Sequence, residues 1–166
     1  LLFEAVNYQK ARVRVRKIFA NNLLQFFQQN YYDDQYYSSM DYVSRVVRDT
    51  TIDLGARSST RLDQSNTYSL DLSRLITDSR KSMYLLEIRG VDPLTPVDDE
   101  YDYDYYFGDY RTYKERSKVV VQSDIGLICK SSGSDQYVVY TTDLVSARPK
   151  GGCKVRTYDR QNQMLA

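Results

Sequence analysis

Residues 11–19 read Ala-Arg-Val-Arg-Val-Arg-Lys-Ile-Phe, and this stretch decides the fold class of the chain. Apolar residues occupy positions 11, 13 and 15, whereas arginines occupy positions 12, 14 and 16. Because successive side chains of a β-strand point to opposite faces, this alternation predicts a strand with one buried and one solvated face. We expect the arginines to lie in solvent. The alternative is a basic stripe that binds an acidic partner.

Alternating or β-branched residues predict further strands along the rest of the chain, at 42–54, 68–72, 83–89, 118–122, 125–130, 136–143 and 152–159. The apolar run within residues 21–30 fits either a short helix capped by Asn21 or Asn22, or a buried strand. We expect a loop at 31–40 and a single helical turn at 72–76. The chain is therefore predicted to be mainly β.

The composition excludes several classes of function. The chain has 166 residues, 23 basic and 22 acidic, with no His and two Cys. Without His there is no His-dependent catalytic triad and no His-based zinc site. Two Cys are too few for a four-cysteine zinc site or an all-cysteine iron–sulfur cluster. We therefore expect no enzyme activity and no cofactor. The net charge of +1 argues against a nucleic-acid partner, and no apolar run approaches the roughly 18 residues of a membrane span.

Residues 97–113, the acidic segment, combine six carboxylates, one Arg and six of the 17 tyrosines. Without this segment, the rest of the chain carries a net charge of +6 (22 basic minus 16 acidic residues). We expect a solvated loop that repels itself. One alternative is a weak calcium site at Asp98, Asp99, Asp102 and Asp104. An EF-hand loop, however, requires Gly where Phe107 stands and a Glu at its twelfth position, which is missing. The other alternative is a docking strip for a basic partner, with contact area from Tyr101, Tyr103, Tyr105, Tyr106 and Tyr110.

The strand spacing predicts two β domains, with a boundary after residue 122. The first covers 1–122 and contains the acidic segment. The second covers 123–166, and its 44 residues are about half of a typical sandwich of about 100. We therefore expect that the chain contains only the N-terminal part of this domain. Cys129 and Cys153 lie in its first and third predicted strands. They form either a disulfide, if their Cβ atoms face each other, or two buried thiols, depending on the compartment.

The last 44 residues carry a set of motifs: Ser-Asp-Ile-Gly-Leu at 123–127, Thr-Asp-Leu at 142–144, Pro-Lys-Gly-Gly at 149–152 and Val-Arg-Thr-Tyr-Asp at 155–159, before a final Gln-Met-Leu-Ala. This pattern resembles a macroglobulin-type β-sandwich domain of the bacterial alpha-2-macroglobulin family. The stretches 3–7, 13–19 and 21–26 resemble the preceding domain in Bacteroidetes-type members.

The resemblance implies antiparallel, macroglobulin- or Ig-like β-sandwich domains, the first with a short helix and the second incomplete. It implies a fragment of a large periplasmic, cell-surface or secreted protein, often lipid-anchored, that inhibits proteases by trapping them. Adjacent macroglobulin domains would be the partners of this fragment, and target proteases would bind outside it. The fragment itself would be scaffold.

The sequence departs from the family pattern at several places. Thr157 stands where Leu is usual, and Cys129 and Cys153 stand where small residues are common, so a disulfide between the sheets would be special to this protein. The Cys-Gly-Glu-Gln thioester motif is missing, and no bait region can be assigned. Two other functions remain open. One is a Tyr-rich cell-surface module that binds protein or glycan through residues 31–37 and 101–113, and the other is a small calcium-dependent domain.

Overall fold

A computed structural model of the chain describes residues 1–28, 40–55, 63–78, 81–91, 115–133, 136–159 and 161–166. The strands in these ranges are β1 (Leu2–Ala5), β2 (Lys10–Ile18), β3 (Ser44–Asp53), β4 (Asn66–Ser69), β5 (Ser82–Val91), β6 (Glu115–Gln122), β7 (Ile125–Ser131) and β8 (Tyr137–Asp143). The helices are α1 (Leu23–Gln28), which follows a 3-10 turn at Ala20–Asn22, then α2 (Met40–Val43) and α3 (Leu72–Leu75).

The strands form antiparallel sheets. The largest has the order β3-β2-β5-β6, and the pairs β1-β4 and β7-β8 form two smaller sheets. Strand β2 lies between β3 and β5, with Val13 opposite Thr50 on one side and Ile88 on the other. A bulge interrupts the β2–β3 pairing, because Val15 faces Arg48 whereas Arg16 faces Val46. This bulge lies in an edge strand, where it discourages pairing with another chain.

One face of the large sheet packs against β1, β4 and α3. Val13, Val15, Tyr84 and Leu86 of the sheet are buried there against Leu70 and Leu75. Phe3 of β1 and Tyr68 of β4 stack at the margin of this core, with ring centroids 5.5 Å apart. The apolar alternation predicted for β2 is confirmed on this face. The helical turn predicted at 72–76 is also confirmed, and the hydrogen bond from Ser73 N to Asp71 Oδ1 caps it.

Helices α1 and α2 cover one end of the opposite face. Phe26 of α1 and Met40 and Val43 of α2 are buried against Ile18 of β2 and Leu85 of β5. The helical interpretation of residues 21–30 is therefore correct for the described residues up to Gln28, but neither asparagine acts as the predicted cap. Asn22 Nδ2 instead donates to the carbonyl oxygen of Tyr42 at 2.8 Å, which ties α1 to α2.

The loop predicted at 31–40 is wrong at its last residue, because Met40 is the first residue of α2. The Met40 side chain packs into the core under α1 and α2, which holds this residue in the helix. The first nine residues of that loop lie outside the described residues.

The C-terminal region differs most from the sequence-based prediction. Strands β7 and β8 are present, but the strand predicted at 152–159 is wrong. These residues form only an isolated bridge between Tyr158 and Met164. The reason is a local turn around Asp159, whose Oδ1 accepts from the amides of Gln161 and Gln163 at 2.9 and 2.7 Å. This turn pairs the segment with the residues that follow it.

Gly90 of β5 provides a test of the packing around β2. An added Cβ at Gly90 would lie 2.4–2.5 Å from ring atoms of Tyr8, whereas a Cβ at Gly151 would have no atom within 4 Å. We expect Gly90→Ala to lower the free energy of unfolding by about 1–3 kcal/mol, because the Tyr8 ring must move. The control Gly151→Ala should change it by less than about 0.5 kcal/mol. Urea unfolding measures both, and equal effects would contradict the packing described here.

Candidate functional site: the arginine face and the charged joint

The first candidate site is the polar side of strands β2 and β5, here called the arginine face: Arg12, Arg14, Arg16, Glu87 and Arg89. The register places Arg12 opposite Arg89, and Arg14 opposite Glu87. Helices α1 and α2 cover the end of this side near Ile18, and beyond them Arg12, Arg14, Glu87 and Arg89 line a small concavity. The face therefore changes from buried to half-open along β2.

Arg12 and Arg14 share one carboxylate on the neighbouring strand β3. Arg12 donates from Nε and Nη2 to the two oxygens of Asp49 at 2.8 and 2.9 Å, and Arg14 donates from Nε to Asp49 Oδ2 at 2.9 Å. Desolvation opposes ionisation of Asp49, but the bonds from Arg12 and then Arg14 outweigh it and lower its pKa. Both arginines are half-buried, so the prediction of solvated arginines is correct only in part.

For Arg16 the prediction of a solvated side chain is wrong. Arg16 is 5% exposed and Glu87 is 4% exposed, and they form a buried ion pair with an N–O distance of 3.2 Å. Arg16 Nη1 also donates to Asp41 Oδ1 of α2 at 2.6 Å. Burial lowers the pKa of Arg16, but the hydrogen bond to Asp41 and the charge of Glu87 outweigh burial and raise it. Arg16 is buried because α2 covers this end of β2.

The second candidate site is the charged joint, formed by Lys81, Ser123, Asp124, Asp143 and Lys150 around the two-residue link between β6 and β7. Asp124 Oδ2 forms an ion pair with Lys81, which precedes β5, and another with Lys150 at 2.8 Å. The carbonyl oxygen of Asp124 accepts from the amide of Leu144 at 2.9 Å. One residue of the link is thus held by groups from both sides.

The hydrogen bonds and ion pairs of the joint shift the pKa values of its members so that their charged forms are favoured. Hydrogen bonds from Lys150 and then Lys81 hold the pKa of Asp124 far below its usual value. The amide and hydroxyl of Ser146 lower the pKa of Asp143, while the bond to Asp124 raises that of Lys150. The pKa of Asp124 is lower in the folded chain than in the unfolded chain. Ionised Asp124 therefore stabilises the fold at pH values above the unfolded pKa of 3.8. The effect is lost as the pH falls through the folded value.

Local sequence patterns predict neither Glu87 nor the charged joint as a site. A signal for Glu87 existed, since a single carboxylate within an apolar strand needs a buried counter-charge, and β2 offers three arginines. The partners of Asp124, Lys81 and Lys150, are distant from it in sequence, so no local pattern indicates them.

Of the other residues predicted as sites, the structure describes only the two cysteines. Cys129 is exposed on β7 opposite Val139, and Cys153 is half-buried; both are free thiols here, so the disulfide stays a prediction. The calcium candidates Asp98, Asp99, Asp102 and Asp104 and the tyrosines Tyr101, Tyr103, Tyr105, Tyr106 and Tyr110 lie outside the described residues.

The described ranges contain no group of three or more His, Cys, Asp or Glu that could hold a metal. Their helices are all too short or too polar for a bilayer crossing.

The buried pair predicts a large cost when one partner is removed. We expect Glu87→Gln to lower the free energy of unfolding by about 3–5 kcal/mol, because Arg16 would keep a buried charge without its buried counter-charge. The double variant Arg16→Met/Glu87→Leu should recover most of that loss. Asp49→Asn, on the same side of the sheet but half-exposed, should cost at most about 1 kcal/mol. Urea unfolding compares the three; a Glu87→Gln cost no larger than that of Asp49→Asn would refute the buried pair.

The chain is similar to two solved structures of native alpha-2-macroglobulin from Escherichia coli. The crystal structure spanning domains NIE-MG1 matches with a TM-score of 0.71 at 17% identity, covering 100% of this chain and 71% of that one. The crystal structure spanning domains MG0-NIE-MG1 matches with a TM-score of 0.68 at 17% identity, covering 100% of this chain and 46% of that one.

No protein-family model matches the chain, and no curated protein matches its sequence. At 17% identity the two structural matches establish the fold. The expected mainly β fold with antiparallel macroglobulin-type sheets is confirmed, and the chain shares the fold of the NIE-MG1 segment of alpha-2-macroglobulin.

Proposed function

We propose that this chain is a structural segment of an alpha-2-macroglobulin-like protein and carries no chemistry of its own. The observation that supports this most strongly is the fold match over the full length of the chain to a two-domain segment, NIE-MG1. Its role is mechanical: it sets the position of neighbouring domains.

The proposed domain division follows the link between β6 and β7. Residues 1–122 form the first unit and residues 123–166 belong to the second. The first unit has two cores, one on each face of its large sheet. The second unit exposes apolar residues on its small sheet, with Leu127 at 60% and Ile128 at 50% exposure. Exposed apolar area of this kind indicates a surface that other strands or a neighbouring domain cover.

The charged joint supports the proposed mechanical role. Two residues leave little freedom between β6 and β7, and Asp124 is bound by Lys81 from the first unit and by Lys150 and Leu144 from the second. Such pairs are individually weak at a surface, but several on one short link act together. They restrict rotation of one unit against the other.

The whole protein is proposed to trap proteases in the periplasm, at the cell surface or after secretion, with a lipid anchor in some forms. The partners of this segment are adjacent macroglobulin domains, and target proteases bind outside it. The sequence resemblance supports these points.

A trapped protease gives a distinctive readout. We expect the native product, isolated from its source cells, to be several times longer than 166 residues. After incubation with a protease, it should block cleavage of a protein-sized substrate while leaving cleavage of a small peptide substrate intact, because a cage excludes only large molecules. Intact mass and the two substrate assays measure this. A native product of this size, or equal inhibition of both substrates, would contradict the proposal.

A further inference from the structure

The charged joint is asymmetric, because four of its five residues belong to the second proposed unit. Within that unit Asp124 is bound twice. Its carbonyl oxygen accepts from the amide of Leu144 at 2.9 Å, and its Oδ2 accepts from Lys150 Nζ at 2.8 Å. Lys150 is itself fixed on β8, since its amide donates to the carbonyl oxygen of Thr141 at 2.9 Å and its carbonyl oxygen accepts from Thr141 Oγ1 at 2.6 Å. Asp124 therefore moves with the second unit.

The pivot between the two units lies at the end of β6. Ser123 already belongs to the second unit, because its Oγ accepts from the amide of Ile125 at 3.0 Å. Gln122 belongs to the first unit, where it pairs with Ser82 of β5. Since the peptide bond itself is planar, rotation about the two single bonds that flank the Gln122–Ser123 peptide changes the angle between the units.

Lys81 reaches across this pivot from the first unit. It directly precedes Ser82, so the register of β5 and β6 places it beside the pivot. Lys81 forms an ion pair with Asp124 Oδ2, the same oxygen that Lys150 binds. The Lys81 side chain is 59% exposed. Exposed ion pairs of this kind are weak and are screened by salt, so the contact across the pivot is the easily broken part of the joint.

We propose that the Lys81–Asp124 pair is a releasable latch for the angle between the two units. The paired lysine holds the angle, and the units rotate about the pivot when salt screens the pair. The backbone bond from Leu144 to Asp124 keeps Asp124 with the second unit after release. This inference rests on the proposed mechanical role, but its test involves no protease, so the latch and protease trapping can fail separately.

Time-resolved energy transfer between two dyes tests the latch in the full chain. One dye is attached to Tyr42→Cys of α2 and the other to Cys129 of β7, with Cys153→Ser as background. We expect the width of the distance distribution to grow about twofold between ~50 mM and ~1 M salt, because the Debye length falls to about 3 Å. Lys81→Met should give the wide distribution at both salt concentrations, whereas Lys81→Arg should keep the salt response.

Lys118→Met is the matched control. Lys118 is an exposed lysine of the same unit, on β6 opposite Leu86, so its loss removes the same charge outside the joint. The distributions should then equal those of the unmodified chain. A width that does not change with salt in the unmodified chain, or an equal effect of Lys118→Met and Lys81→Met, would overturn the latch.

A dye pair within the first unit separates release of the latch from loosening of the fold. Tyr42→Cys and Ser69→Cys, an exposed position of β4, carry this pair in a chain with Cys129→Ser and Cys153→Ser. The latch predicts a narrow distribution at both salt concentrations, since both positions lie on the same side of the pivot. Broadening of this pair in ~1 M salt would mean that salt loosens the first unit, and would also overturn the proposal.

Discussion

Strand β2 must satisfy two different environments, because it lies inside the large sheet and both of its faces are at least partly covered. On one side Val13 and Val15 pack under β1, β4 and α3. On the other side Ile18 packs under α1 and α2, and Arg16 beside it is buried, where it pairs with buried Glu87 and with the exposed Asp41. The register with β5 follows from this arrangement, since a slip by one residue would exchange the two faces. The same register brings Arg12, Arg14 and Arg89 together.

Much of this arrangement follows from local sequence patterns. The alternation in residues 11–19 predicts β2 and its apolar face, and the β-branched runs predict the neighbouring strands. The burial of Arg16 does not follow, because it depends on a helix that begins at Met40 and on a carboxylate 71 residues away. The strand predicted at 152–159 fails for the opposite reason, since a local turn at Asp159 competes successfully with pairing to the sheet.

The two candidate sites also differ in how much of each the sequence predicts. The arginine stripe is visible in the sequence, although its partners are not. The charged joint is not visible, because Lys81, Asp124 and Lys150 are far apart in the chain and carry ordinary surface charges. It is nevertheless the feature that joins the two proposed units, and it explains how a two-residue link could hold them at one angle. A structural role needs such a link more than it needs a pocket.

The distance between the two units tests this account most directly. One spin label on Cys129, with Cys153 replaced by Ser, and one on Tyr42→Cys, an exposed position of α2, would report it by pulsed electron paramagnetic resonance. We predict a single narrow distance distribution that broadens in Asp124→Asn and in Lys81→Met. It should stay narrow in Lys154→Met, which removes an exposed lysine outside the joint. A distribution that is already broad in the unmodified joint, or that Asp124→Asn leaves unchanged, would contradict the account.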